Sequence, residues 1–176
     1  MMKVFINPGH APNGCPDPGA CGNGLRESDV AASVGSLVQH YLEAAGCTTK
    51  ILQSDSLLEV SSTANEWGAD VFVSIHCNSA STNRAQGTET FSYPYSIAGA
   101  RLARFIQHQI VSSLPVVDRG IKEANFHVVR ETDMPACLVE LAFINNPMDA
   151  GLLRNRQDDF ARAIARGVTD YEQDLG

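Results

Sequence analysis

The chain has 176 residues, 44% of them hydrophobic and 19% charged, with a formal net charge of −7. That composition excludes a disordered chain and supplies enough apolar material for the core of one domain. The acidic balance argues against nucleic acid or an anionic membrane as a partner, since both need clustered Lys and Arg, and leaves room only for a local basic patch.

The first element, "KVFINPG" from Lys3, reads as a strand and is entered directly from "MM", with no apolar h-region of a signal peptide. The chain therefore reads as a soluble protein made in the cytoplasm. A loop rich in Gly, Pro and Asn follows and closes on Glu27. From Glu27 to Ala45, Val30, Val34, Leu37 and Tyr41 step by four, three and four, which predicts a helix that Gly46 ends. "CTTKIL" from Cys47 predicts a strand, and a shorter helix is expected over Ser61 to Trp67. "DVFVSIHC" from Asp70 and "GTETFSYP" from Gly87 read as further strands. "SIAGARLARFIQHQIVSSL" from Ser96 reads as a helix buried through Leu102, Phe105, Ile106 and Ile110. "NFHVVRE" from Asn125 reads as a short edge strand and "ACLVELAF" from Ala136 as an inner one. "DDFARAIARGVTDYEQDL" from Asp158 reads as the last helix.

Strands alternating with helices indicate an α/β fold around a largely parallel sheet. No repeat or linker divides it, so residues 1–176 are expected to form one domain. The longest apolar runs, "VFVSI" and "CLVELAFI", are far short of a membrane span. Cys15, Cys21, Cys47, Cys77 and Cys137 are scattered and odd in number, and free, mostly buried thiols are expected.

In such sheets, sites form beyond the carboxyl ends of the strands. There the sequence places His10 after the first strand, Glu27 at a helix start and His76 at the end of the third strand, with Glu140 inside the apolar last strand. Singly, a histidine is a hydrogen-bonded loop residue, and Glu27 suits the positive end of a helix dipole. Glu140 is different. A carboxylate among Leu138, Val139, Leu141, Ala142 and Phe143 is costly to bury unless it is paired, protonated or beside a metal. Two imidazoles and one carboxylate suit a catalytic zinc, which takes three protein ligands. A second carboxylate off the metal, Glu140, then suits a general base. Cys77 is set aside as a nucleophile, because neighbours on a strand point to opposite faces and His76 cannot serve as its base.

At these residues the chain resembles the zinc-dependent N-acetylmuramoyl-L-alanine amidases of the amidase 3 type. The matching stretches are "NPGH…DPGACGNGLRE" (Asn7 to Glu27), "ANEWGADVFVSIHCN" (Ala64 to Asn78), "GTETF" (Gly87 to Phe91) and "RGIKEANFHVVRETDMPACLVELAFINNPMD" (Arg119 to Asp149). They come in the family's order and cover nearly the whole chain. Such enzymes cut the amide between the lactyl group of muramic acid and the L-alanine of the peptidoglycan stem. The resemblance implies one zinc ion per chain on His10, Glu27 and His76, with Glu140 as the catalytic carboxylate. It also implies a three-layer sandwich with a twisted, mostly parallel sheet of about six strands flanked by helices. Three positions depart from the family: Val60 replaces a usual arginine, Cys137 a small apolar residue, and His127 an aromatic or aliphatic one. None removes a ligand or the base.

Asn78 shares a strand face with His76 and is a candidate to bind substrate or orient a ligand. Arg119 and Lys122 are candidate partners for the acidic stem peptide, weighed evenly against ordinary surface charges. His127 is a candidate hydrogen-bonding residue for substrate, although a solvent-facing strand position is the favoured reading. Peptidoglycan is the expected partner and a monomer the expected state. The expected place of action is the cell wall, reached without a signal peptide, as a mature fragment, or as a lysin released through a holin. The rival readings are another zinc peptidase, such as a carboxypeptidase acting on cell-wall peptides, and a silent wall-binding module.

Overall fold

In the computed structural model, which describes residues 1–176, Lys3–Pro8 forms β1, and a 3-10 turn at Pro12–Gly14 opens the long loop after it. That loop carries a minimal hairpin, β2 (Cys21–Gly22) and β3 (Leu25–Arg26), before α1 (Glu27–Ala44). The chain continues through β4 (Thr48–Ile51), α2 (Leu57–Trp67), β5 (Val71–Asn78) and β6 (Thr88–Ser92). Then come α3 (Ile97–Ser113), β7 (Asp118–Glu123), the single turn α4 (His127–Arg130), β8 (Ala136–Phe143), α5 (Pro147–Asn155) and α6 (Gln157–Leu175).

Six strands form one sheet in the order β4-β1-β5-β8-β6-β7. All pairs are parallel except β6 with β8. The two faces are buried differently. Val71, Val73, Ile75 and Cys77 of β5 join Val139 and Leu141 of β8 in the larger core, packed against α1, α3 and α6. The alternate residues Phe72 and Leu138 meet Phe5, Val60, Ala64 and Val128 in a smaller core under α2 and α4. Burial on both faces explains why β5 reads as an unbroken apolar run rather than an alternating one. The result is a three-layer α/β sandwich with the expected number of strands.

Local chemistry fixes the helix boundaries. Ser56 caps α2 by accepting the Glu59 N–H at 3.2 Å, so this helix begins four residues before the expected Ser61. Asn146 caps α5 through the Met148 and Asp149 N–H groups, with Pro147 at the first helical position. This helix was not expected from the sequence.

The expected edge strand "NFHVVRE" is instead the helical turn α4. Its backbone closes on itself: the Arg130 N–H donates to Phe126 O at 3.1 Å and the Glu131 N–H to His127 O at 2.8 Å, which turns Val128 and Val129 together into the smaller core. The real edge is β7, "DRGIKE", mostly exposed and paired only with β6. All five cysteines are free; Cys47, Cys77 and Cys137 are buried, while Cys15 and Cys21 are exposed.

The helices α3 and α6 touch at Gly167, where a Cβ would lie 2.5 Å from Ile106 Cα. Gly167→Ala gains about 1 kcal/mol of helix propensity. Separating two backbones costs more, by roughly 1–3 kcal/mol for overpacking. The expected outcome is a net loss of up to about 2 kcal/mol, and a drop of several degrees in a thermal melt would register it at about 2–4 °C per kcal/mol.

Candidate active site

The parallel register sets His76 of β5 beside Glu140 of β8, and the antiparallel register sets Glu89 of β6 on the other side of Glu140. This row of three lies on the face covered by α2 and α4. Two further groups reach it from outside the sheet. His10 sits two residues beyond β1 with φ +66, a left-handed conformation uncommon for a residue with a side chain. Glu27 is the first residue of α1 and is buried, at 4% exposure.

These groups converge on one point. His10 Nε2 lies 3.0 Å and His76 Nδ1 2.9 Å from Glu27 Oε1, and the ligand atoms of all three lie within 4.8 Å of one another. Glu27 is further fixed by the backbone: the Cys77 N–H donates to Oε1 at 3.0 Å and the Ala20 N–H to Oε2 at 2.8 Å. On the far side of the His10 ring, Nδ1 meets Asp17 Oδ2 at 2.7 Å.

The electrostatics favour a positive charge between these groups. Hydrogen bonding to Glu27, helped by Asp17, raises His10 to about 9 against the opposing cost of burial. Burial pushes the Glu27 carboxyl up, but the bonds to His10 and His76 outweigh it and hold that carboxyl well below the usual range. Two ring nitrogens and a carboxylate oxygen aimed at one point are the donor set of a divalent cation, and of zinc in particular.

Glu140 is the opposite case. Its Oε2 is buried with no hydrogen-bond partner, and burial raises the carboxyl to about 7. It shares a cavity of about 300 Å³ with His10, His76 and Asp17; the opposite wall is Ser54, Asp55, Leu57, Phe126 and His127. All four residues singled out as ligands or base thus meet at one site. Cys77 packs behind it in the larger core, and burial raises its thiol well above the ordinary value.

The remaining candidates separate. Asn78, Arg119 and Lys122 come together on Glu89 and do not line the cavity. Asn78 Nδ2 donates to Oε1 at 2.7 Å, Arg119 Nε to Oε2 at 3.0 Å, and Lys122 Nζ pairs with the same Oε2. Burial raises the Glu89 carboxyl, but the two cations more than offset that and lower it overall. His127 stands on the cavity wall from α4, with Nε2 3.2 Å from Ser61 Oγ, so it is not a strand residue facing solvent. Sequence reasoning missed Asp17 and Glu89. The only cue to Asp17 is its place in "DPG", two residues before Gly19. The cue to Glu89 is its position opposite Glu140, which requires the strand order.

A family model described as N-acetylmuramoyl-L-alanine amidase matches residues 4–170. The chain is 38% identical over 176 residues to the sporulation-specific N-acetylmuramoyl-L-alanine amidase of Bacillus subtilis (strain 168), covering 95% of this chain and 65% of that protein. It is likewise 38% identical over 176 residues to the N-acetylmuramoyl-L-alanine amidase LytC of the same organism, covering 96% of this chain but 35% of that one. The chain thus spans about two thirds or less of these curated relatives. Among solved structures, the amidase AmiC2 of Nostoc punctiforme superposes with a TM-score of 0.90 at 33% identity, over 98% of this chain and 97% of that one. The N-acetylmuramoyl-L-alanine amidase from Clostridium difficile 630 superposes with a TM-score of 0.89 at 34% identity, over 99% and 98%. A match running almost from end to end, with His10, Glu27, His76 and Glu140 gathered at one strand edge inside it, leaves a single assignment: the chain belongs to the N-acetylmuramoyl-L-alanine amidase family.

Proposed function

We propose that this chain is a zinc-dependent amidase that hydrolyses the bond between N-acetylmuramic acid and the L-alanine of the peptidoglycan stem, acting at the bacterial cell wall. The observation that carries the reading is the convergence of His10 Nε2, Glu27 Oε1 and His76 Nδ1 beside a buried carboxylate, Glu140, whose Oε2 has no partner. His10, Glu27 and His76 are the ligands in this reading, and one zinc ion is held per chain. Zinc supplies Lewis acidity, polarising a carbonyl and lowering the pKa of water.

Glu140 is the proton carrier. It takes a proton from the attacking water and returns it to the alanine nitrogen as the amide breaks. Its environment suits both halves of that task. Burial favours the neutral acid, so holding the proton is cheap, while a value near 7 leaves the carboxylate well populated at neutral pH. We assign His127 to a hydrogen bond with the substrate across the cavity. Arg119 and Lys122, about a third or more exposed beside the site, are assigned to the acidic stem peptide while they hold Glu89, and Asn78 braces the same carboxylate.

Five outcomes test this reading. Purified protein should hold one zinc per chain by metal analysis, chelation should abolish turnover of muropeptide, and zinc should restore it. His76→Ala should lose the metal. Free lactyl-muramic acid should be the product; release of a terminal amino acid instead would identify a carboxypeptidase. Glu140→Ala should keep zinc and fold but lose activity by about 10²–10⁴-fold, and full turnover by that variant would sink the mechanism. Finally, Glu140 acts as a base only when deprotonated, so kcat/KM should rise with pH through its pKa and be lost below it. A neighbouring cation favours the carboxylate, so this acid limb should fall at or below about pH 7. An activity that grows as pH falls would contradict the assignment.

A further inference from the structure

Asp17 has no part in the reaction just described, yet it is built into the site as firmly as the ligands. Its Oδ2 lies 2.7 Å from His10 Nδ1, and its Oδ1 accepts the Gly19 N–H at 2.9 Å. Its backbone carbonyl accepts the Ala11 N–H at 2.9 Å. Asp17 therefore ties His10 to the turn at Gly19 through its carboxylate, and holds the next residue, Ala11, through its backbone carbonyl. Gly19 completes the arrangement. It has φ +68, and a Cβ there would lie 2.5 Å from His10 Cδ2 and 2.7 Å from Glu27 Oε2. The turn at Gly19 thus lies directly against both groups, and Ala20 next to it donates to Glu27 Oε2. His10 itself has an uncommon positive φ and needs something outside its own backbone to hold the ring.

We propose that Asp17 is a positioning residue for metal capture: by accepting the Nδ1 proton it selects the tautomer of His10 whose Nε2 lone pair faces Glu27 and His76. Carboxylate partners of ligating histidines act in this way, orienting the ring and raising its basicity. The loop from Ala11 to Arg26 then does more than connect β1 to α1. It assembles the His10 and Glu27 halves of the ligand set before the ion arrives, so the cation meets a formed site rather than ordering one. This rests on the proposal that His10, Glu27 and His76 hold zinc.

The test is zinc affinity, measured by competition with a chromophoric chelator, together with the melting temperature of the metal-free protein. Asp17→Ala should weaken zinc binding by roughly 10- to 100-fold and lower the metal-free melt only slightly, because the Asp17 side chain is half exposed. Asp17→Asn, whose amide oxygen still accepts from Nδ1, should recover part of the loss. Gly19→Ala, which pushes the turn off both ligands, should lose affinity at least as strongly. Wild-type affinity in Asp17→Ala overturns the proposal, as does a loss of affinity matched by an equal fall in the metal-free melt, which would make the role structural. Failure of the wild-type protein itself to bind zinc would overturn the ligand assignment instead, so the two failures are distinguishable.

Discussion

Everything at the site depends on the parallel register of β5 with β8. A strand presents alternate residues to opposite faces, so a one-residue slip of β5 would turn His76 into the large core and bring Cys77 to the cavity, and a slip of β8 would do the same with Glu140 and Leu141. The slip is opposed by the burial of both faces. Phe72 and Leu138 fit the small core under α2 and α4, while Val73, Ile75 and Val139 fit the large one. The same apolar side chains that stabilise the sheet therefore aim the polar ones. His10 and Glu27, arriving from loop and helix, close on a partner whose position is already set.

Three glutamates lie close together at this end of the sheet, and each is accommodated differently. Glu27 is held by two imidazoles and two backbone N–H groups, a setting that stabilises its charge. Glu89 keeps its charge through Arg119, Lys122 and Asn78. Glu140, between them, has neither kind of partner at Oε2 and is the one pushed toward the neutral form. Environment alone thus divides three identical side chains into a fixed anion at the ligand point, a fixed anion in the wall and a group free to exchange a proton. The two fixed anions also raise the proton affinity of Glu140 between them.

The four residues that meet at the site were legible in the sequence because each follows a strong local pattern. His10 and His76 terminate apolar runs, Glu27 opens a periodic helix, and Glu140 interrupts a stretch that has every other reason to be uniformly apolar. Five of the six sheet strands were legible for the same reason. β7 was not, because "DRGIKE" has a single apolar residue and draws its pairing from β6 alone. The segment 125–131 was misread because two β-branched valines suit a strand, and a single helical turn is too short to show a helical period. Asp17 was hidden in a loop where Asp, Asn, Pro and Gly all look like turn formers. Glu89 sits in an ordinary alternating pattern, and its cations lie 30 and 33 residues away.

The two walls of the cavity are made of different material. On one side, His76 and Glu140 stand on inner strands. On the other, Ser54 and Asp55 belong to the connection into α2, Leu57 opens that helix, and Phe126 and His127 belong to the short turn before β8. Connections tolerate substitution and insertion far better than inner strands do. Divergence of this scaffold therefore has a ready route: Ser54, Asp55 and Phe126 can change shape and charge without disturbing the register that aims His76 and Glu140.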